Sequence, residues 1–269
     1  MKKITVYILT HKKFYEKYDN QLYKPLLNGS YFLQNNFNYL TDNTGDNISK
    51  LNPYYAELTG EYWVWKNSDA DIIGFNHYRR WFVKNLKFDK LTRNDIITDL
   101  QNNDIILPQK SRLENTITDT IKKGMEINPN YGAKWEDYLK LEKIIKKNFP
   151  RYYNDYKKIM NGKECYSNNM FICDKKLADK YFTWLFDILN LLKTEIDFSQ
   201  YSENNKRVFG FFSEILLTVF VEHENLKIKE HYIYFLGRKM PHLHILIRRF
   251  PNIGVLERVI SEKIIKKSK

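Results

Sequence analysis

The chain has 269 residues, of which 43% are hydrophobic and 28% charged, and its formal charge is +12. That much apolar material supports a packed core and excludes a disordered polymer, and the length suits one large α/β domain or two small ones. Two cysteines, Cys165 and Cys173, exclude a disulfide framework and a cysteine-rich metal knuckle, as expected of a protein in a reducing cytoplasm.

In chain order, Met1-Lys2-Lys3 leads into an apolar stretch too short for a signal peptide. Residues 4–9, ITVYIL, read as a first strand ending in Thr10-His11-Lys12. A polar end to strand one is typical of nucleotide-binding α/β folds. No Gly-x-Gly-x-x-Gly and no Walker A loop occurs anywhere in the chain, which counts against a dehydrogenase or a P-loop kinase. Residues 14–41 read as a short strand and loops. The string DNTGDNIS, residues 42–49, is a turn-and-cap sequence. Its place after the second strand suits hydrogen bonds from Asp46 and Asn47 to a ribose or a pyrimidine edge. Pro53 can open a helix, and Tyr54, Tyr55, Leu58, Tyr62 and Trp65 then recur on one helical face. That stripe is read as core rather than as a sugar platform.

Residues 71–75 form a strand-length apolar run that delivers Asn76-His77-Tyr78-Arg79-Arg80 at its carboxyl end, where open α/β sheets bind ligands. A His and two Arg there predict an anion site, with a pyrophosphate as the expected anion. Beyond it, the patterns predict a helix over 94–102, a strand over 104–107 closed by Pro108, and a mobile loop or lid over 109–133. They continue with a helix over 135–148, a strand over 168–173, a helix capped by Asp174 and running to Leu192, a helix over 207–222 and a strand over 227–236. No apolar run reaches the ~18–20 residues of a spanning helix.

The expected organisation is one domain, residues 1–237, and a basic tail, residues 238–269. The tail carries nine basic and two acidic residues, a local +7. From Val255 onward, Val255, Leu256, Val259, Ile260, Ile264 and Ile265 fall on one helical face with Lys and Arg around them. This is the pattern of a helix that lies on an anionic membrane surface. His242 and His244 in the tail have no metal-ligand spacing and are read as interface residues.

Thr10-His11-Lys12, DNTGDNIS, NPYYAELTGEYWVWKN, IIGFNHYRRWF, NNMFICDKKLADKYFTWLF and RVFGFFSEILLTVF together resemble a family of bacterial capsular and exopolysaccharide glycosyltransferases, formerly a domain of unknown function found in polysaccharide loci. The resemblance runs from about residue 4 to residue 236 and leaves the tail uncovered. It implies a GT-A-like (Rossmann-like) single α/β domain with a mixed central sheet flanked by helices. It also implies transfer of a hexose from a UDP-sugar, galactose in pyranose or furanose form being the first expectation, to a lipid-linked acceptor in capsule, exopolysaccharide or O-antigen synthesis. The protein would then be cytoplasmic, peripheral on the inner face of the plasma membrane.

GT-A enzymes usually carry Asp-x-Asp just after an apolar strand, holding a divalent metal on the donor diphosphate. Here Asp69-Ala70-Asp71 precedes its strand, and a strand of ~5 residues puts its two ends ~15 Å apart. The usual position holds Asn76-His77, so the diphosphate is expected to be neutralised by His77, Arg79 and Arg80. A divalent metal (Mn or Mg) is not expected to be strictly required, and no metal ligand is assigned. Glu214, in the first turns of a helix after Gly210, is the candidate general base for the acceptor hydroxyl. The expected donor-binding set is Thr10, His11, Asp46, Asn47, His77, Arg79, Arg80, Asn169 and Arg207. The competing reading is a basic module that binds nucleic acid or another polyanion without catalysis. A basic tail with apolar periodicity and the lack of any nucleic-acid-binding motif argue against it.

Overall fold

Strand β1 (Ile4–Thr10) is buried along all seven residues, as a central parallel strand must be when both faces are covered. Tyr7 and Leu9 enter the larger of two apolar clusters; Ile4, Val6 and Ile8 enter the smaller one on the opposite face. The computed structural model describes residues 2–128, 132–203 and 205–237. After β1 the chain forms β2 (Tyr23–Leu27), β3 (Leu40–Thr41), α1 (Asn52–Tyr55), α2 (Leu58–Asn67), β4 (Ile72–His77) and β5 (Arg80–Val83). It continues through α3 (Arg93–Asn102), β6 (Ile105–Pro108), β7 (Ser111–Arg112), α4 (Ile117–Ile127), α5 (Trp135–Asn148) and α6 (Tyr153–Met160). The last elements are β8 (Glu164–Cys165), β9 (Ile172–Asp174), α7 (Lys175–Glu195), α8 (Val208–His223) and β10 (Ile228–Phe235).

The strands β3-β2-β1-β4 lie side by side and parallel. Beyond β4 the pairings close a ring. β4 runs antiparallel to β9, β9 to β6, β6 parallel to β10, and β10 antiparallel to β5, which returns to β4 at the His77–Arg80 pair. Gly74 lets β9 approach, since a Cβ there would lie 2.6 Å from Ile172 Cγ1. The result is the expected α/β domain with a mixed sheet between helical layers.

The aromatic stripe of residues 54–65 is core. Trp65 stacks on Phe186 of α7 with ring centroids 5.5 Å apart, and Tyr62 meets the same ring edge-on at 5.0 Å. The continuous helix expected there is broken, however. Ala56 takes φ 49° and ψ −124°, so α1 stops and α2 starts afresh after Glu57. Periodicity registers only which residues are buried, and both short helices bury the same face.

Other expectations also need correction. Residues 109–133 include β7 and α4, whose start is fixed by Thr116 Oγ1 accepting from Asp119 N at 3.0 Å. Of the strand expected over 168–173, only Ile172 onward pairs, because Asn168 and Asn169 both have positive φ. Asp174 makes no side-chain cap on α7; Lys2 Nζ donates to it instead, at 2.9 Å. The tail, with its expected amphipathic helix and His242 and His244, lies outside the described residues.

Candidate active site

The carboxyl ends of β1, β2 and β4 meet at one edge of the sheet. Asn28 N donates to Thr10 O at 2.7 Å, and Tyr78 N to Leu9 O at 3.0 Å, which ties the three strand ends together. Thr10 is buried, and its hydroxyl donates to Lys12 O (2.6 Å) and accepts from Lys12 N (3.1 Å). It shapes the turn that presents His11. The His11 ring packs edge-on to Tyr78, with centroids 5.2 Å apart. Its pKa is lowered, first by partial burial and then by the positive charges of Lys12, Arg79 and Arg207. Lys12 and Arg79 also lie over the Tyr78 ring, 5.4 and 5.1 Å from its centroid, and Arg207 adds its charge from the start of α8. Arg207 stands directly before α8, at the positive end of that helix's dipole. None of the three side chains forms an ion pair with a described residue.

Behind this basic rim lies a second layer. His77 is buried, and its Nε2 donates to Asn168 O at 2.7 Å. Burial, reinforced by Arg80 and Arg79, holds its pKa down to about 4 against the opposing pull of Glu57 and the Asn168 carbonyl. Its surroundings thus hold His77 towards the neutral, hydrogen-bond-donating form. Asn168 N donates to Glu214 Oε1 at 2.9 Å. The next residue, Asn169, donates from Nδ2 to Glu57 Oε1 at 2.9 Å and to Gly210 O at 3.1 Å. Arg80 is half-buried, its Nε has no hydrogen-bond partner among the described residues, and the carboxylates of Glu57 and Glu214 both act on it. Two carboxylates and one guanidinium are thereby gathered around the Asn168-Asn169 turn.

Of the residues expected in the site, Thr10, His11, His77, Arg79, Arg80, Asn169, Arg207 and Glu214 come together at this edge. Asp46 and Asn47 do not. Asp46 accepts from Tyr62 Oη (3.1 Å), and Asn67 at the end of α2 bonds its backbone N (3.2 Å) and O (2.8 Å). Ten helical residues, about 15 Å, separate that end of α2 from Glu57. The first residue of the same string, Asp42, is fully buried and accepts from Gly29 N (2.8 Å), Ser30 N (3.0 Å), Ser30 Oγ (2.7 Å) and Ser49 Oγ (2.6 Å). These bonds make DNTGDNIS a loop clamp, away from the edge where the other expected residues meet. Asp69 and Asp71 bind Lys3 at the opposite end of β4, as their order in the chain predicts. Glu57 and Lys12 were missed. A Glu following Ala at helical spacing looks like an ordinary surface position until the break at Ala56 turns it towards the site.

The position usual for a metal-binding acidic pair does not suit a hard cation. Asn76 Oδ1 accepts from Phe82 N at 3.3 Å, and the Nε2 of His77 is already engaged. Among the described residues, no group of three or more His, Cys, Asp or Glu is gathered to hold a metal ion.

A family model, described as a domain of unknown function (DUF4422), matches residues 5–225. The chain belongs to this family. No curated protein matches it. Among solved structures it is similar to the apo structure of WbbM, a bifunctional glycosyltransferase, with a TM-score of 0.78 and 29% identity over 88% of the chain. The chain spans 46% of that protein. The DUF4422 match ends before β10, whereas the structural match extends over most of the chain.

Proposed function

We propose that this DUF4422 domain is a glycosyltransferase that moves a hexosyl group from a nucleotide diphosphate sugar to a hydroxyl of a glycan acceptor. The observation that carries the reading is the gathering of Lys12 and Arg79 over the Tyr78 ring beside His11, with Arg207 adding charge from the start of α8 and none of the three in an ion pair with a described residue. Cations without carboxylate partners are poised for an anion. A diphosphate fits the spread of three charges, and the similarity to a bifunctional glycosyltransferase supports a sugar on it. In this reading Lys12, Arg79 and Arg207 face the diphosphate. Arg80 balances the two carboxylates behind it, and one of these takes the proton of the acceptor hydroxyl. UDP-galactose, pyranose or furanose, is the first donor to try, and a lipid-linked oligosaccharide the first acceptor.

The test is calorimetry and thermal shift with UDP, GDP, CMP, UDP-sugars and oligonucleotides, followed by mass spectrometry of products on a lipid-linked acceptor mimic. Stabilisation by UDP and its sugars, with new glycan product, supports the proposal. Turnover of GDP- or CMP-sugars alone would redirect the donor. Stabilisation by oligonucleotides alone would favour a polyanion-binding module.

A further inference from the structure

Three backbone distortions converge on one carboxylate. Ala56, directly before Glu57, has φ 49° and ψ −124°, while Asn168 and Asn169 have φ 77° and 48°. Positive φ is uncommon outside glycine, and runs of it in one place point to a geometry that the surrounding structure enforces. Here the enforcement is visible. Asn52 Nδ2 and Thr59 Oγ1 both donate to the Ala56 carbonyl, at 2.8 and 3.1 Å, and so lock the break before Glu57. The buried Asn169 side chain then holds Glu57 Oε1 at 2.9 Å.

The other oxygen, Oε2, has no hydrogen-bond partner among the described residues, and Glu57 is only half-buried. Both oxygens lie 3.6 Å from where a side chain at Gly210 would begin, over the first turn of α8 that Arg207 opens. A carboxylate fixed through one oxygen, with the other open over the first turn of α8 and Arg80 close by, is arranged to take a proton. Glu214 is held by a backbone donor instead. Its Oε1 receives Asn168 N from the second turn of α8, which makes it the anchor of the Asn168-Asn169 turn.

We propose that Glu57 is the proton acceptor of the transfer and that Asn169 is the positioning residue that aims it, an assignment that rests on the glycosyl-transfer reading. The acceptor hydroxyl oxygen attacks the anomeric carbon, and the carbon–oxygen bond to the diphosphate breaks. The electron pair leaves on the nucleoside diphosphate, and the hydroxyl proton passes to Glu57 Oε2. The displacement is single, so the anomeric configuration inverts.

The experiment measures UDP release from UDP-galactopyranose and UDP-galactofuranose with octyl galactoside as acceptor, together with UDP affinity by calorimetry and melting by circular dichroism. Glu57→Gln is expected to lower kcat by ~10²–10⁴-fold, with UDP affinity changed less than about threefold. Asn169→Asp, or Asn169→Gly should the aspartate variant not fold, is expected to lower kcat by ~10–100-fold with KM nearly unchanged. Added to Glu57→Gln, the Asn169 change should cost nothing more, since both act through one carboxylate. Near-normal turnover in Glu57→Gln, independent losses in the double variant, or a product of retained configuration would overturn the assignment. A wild-type protein that neither binds UDP nor releases it from either donor would instead overturn the glycosyl-transfer reading, and this inference with it.

Discussion

Arg79 and Arg80 are neighbours in sequence and opposites in environment. Arg79 is exposed, packs over the Tyr78 ring and has no ion-pair partner among the described residues, so its removal disturbs little of the fold. Arg79→Ala is expected to weaken UDP binding by ~1.5–3 kcal/mol, the worth of a charge-assisted contact, with melting unchanged; calorimetry and circular dichroism check both. Glu61 offers a different residue-scale test. It is fully buried, neither carboxylate oxygen has a partner among the described residues, and burial, followed by repulsion from Glu57, pushes its pKa well above the usual carboxylate range. The folded protein therefore holds one proton more than the unfolded chain once pH passes the ordinary carboxylate value. Stability contributed by protonated Glu61 is present below that value and is lost as pH rises towards the folded pKa. Relative to Glu61→Gln, the wild type should lose up to about 1.4 kcal/mol per pH unit between pH 5 and 6, read from denaturant melts.

At the scale of elements, the break between α1 and α2 does more for the site than either helix. Ala56 occupies a conformation that glycine adopts freely and alanine does not. Ala56→Gly is expected to raise stability by about 1 kcal/mol in denaturant melts, because it removes strain while leaving the Asn52 and Thr59 bonds to its carbonyl intact. A loss of stability would mean that the methyl group packs better than the backbone is strained. The two short helices also show how one sequence string serves two purposes. Tyr55 packs on Phe209 of α8 at 4.4 Å and Trp65 on α7, while Glu57, between them, faces the sheet edge.

For the molecule as a whole, the basic rim of Lys12, Arg79 and Arg207 argues for charge neutralisation by side chains. Transfer is therefore expected to persist in EDTA. Activity abolished by EDTA and restored by manganese would show that carboxylates outside the present assignment hold a metal. The basic tail carries the proposal of membrane attachment. Several Lys and Arg near an anionic leaflet contribute about 1 kcal/mol each, enough with inserted Ile and Leu for reversible docking next to a lipid-linked acceptor. Vesicle co-sedimentation should show the full chain bound to anionic lipid and a 1–237 truncation free. Equal binding by both would remove the tail as anchor.

The sequence alone determined the strands and long helices, because burial on a sheet face or helix stripe leaves a period in the residues themselves. ITVYIL, the run before His77 and the helix starting at Trp135 were all legible in this way. It also determined that Asp69 and Asp71 lie at the wrong end of β4, since chain order along a strand is direction in space. Only the tertiary structure decided which polar residues meet. Asp46 and Glu57 are eleven positions apart and equally polar, yet one is tied to the far end of α2 and the other to Asn169. The charge of His77 was likewise decided by its surroundings, because burial and two nearby arginines act through space and leave no mark on the neighbouring sequence. The break at Ala56 belongs to the same class. It is imposed by Asn52 and Thr59 closing on one carbonyl, and no local preference of alanine announces it.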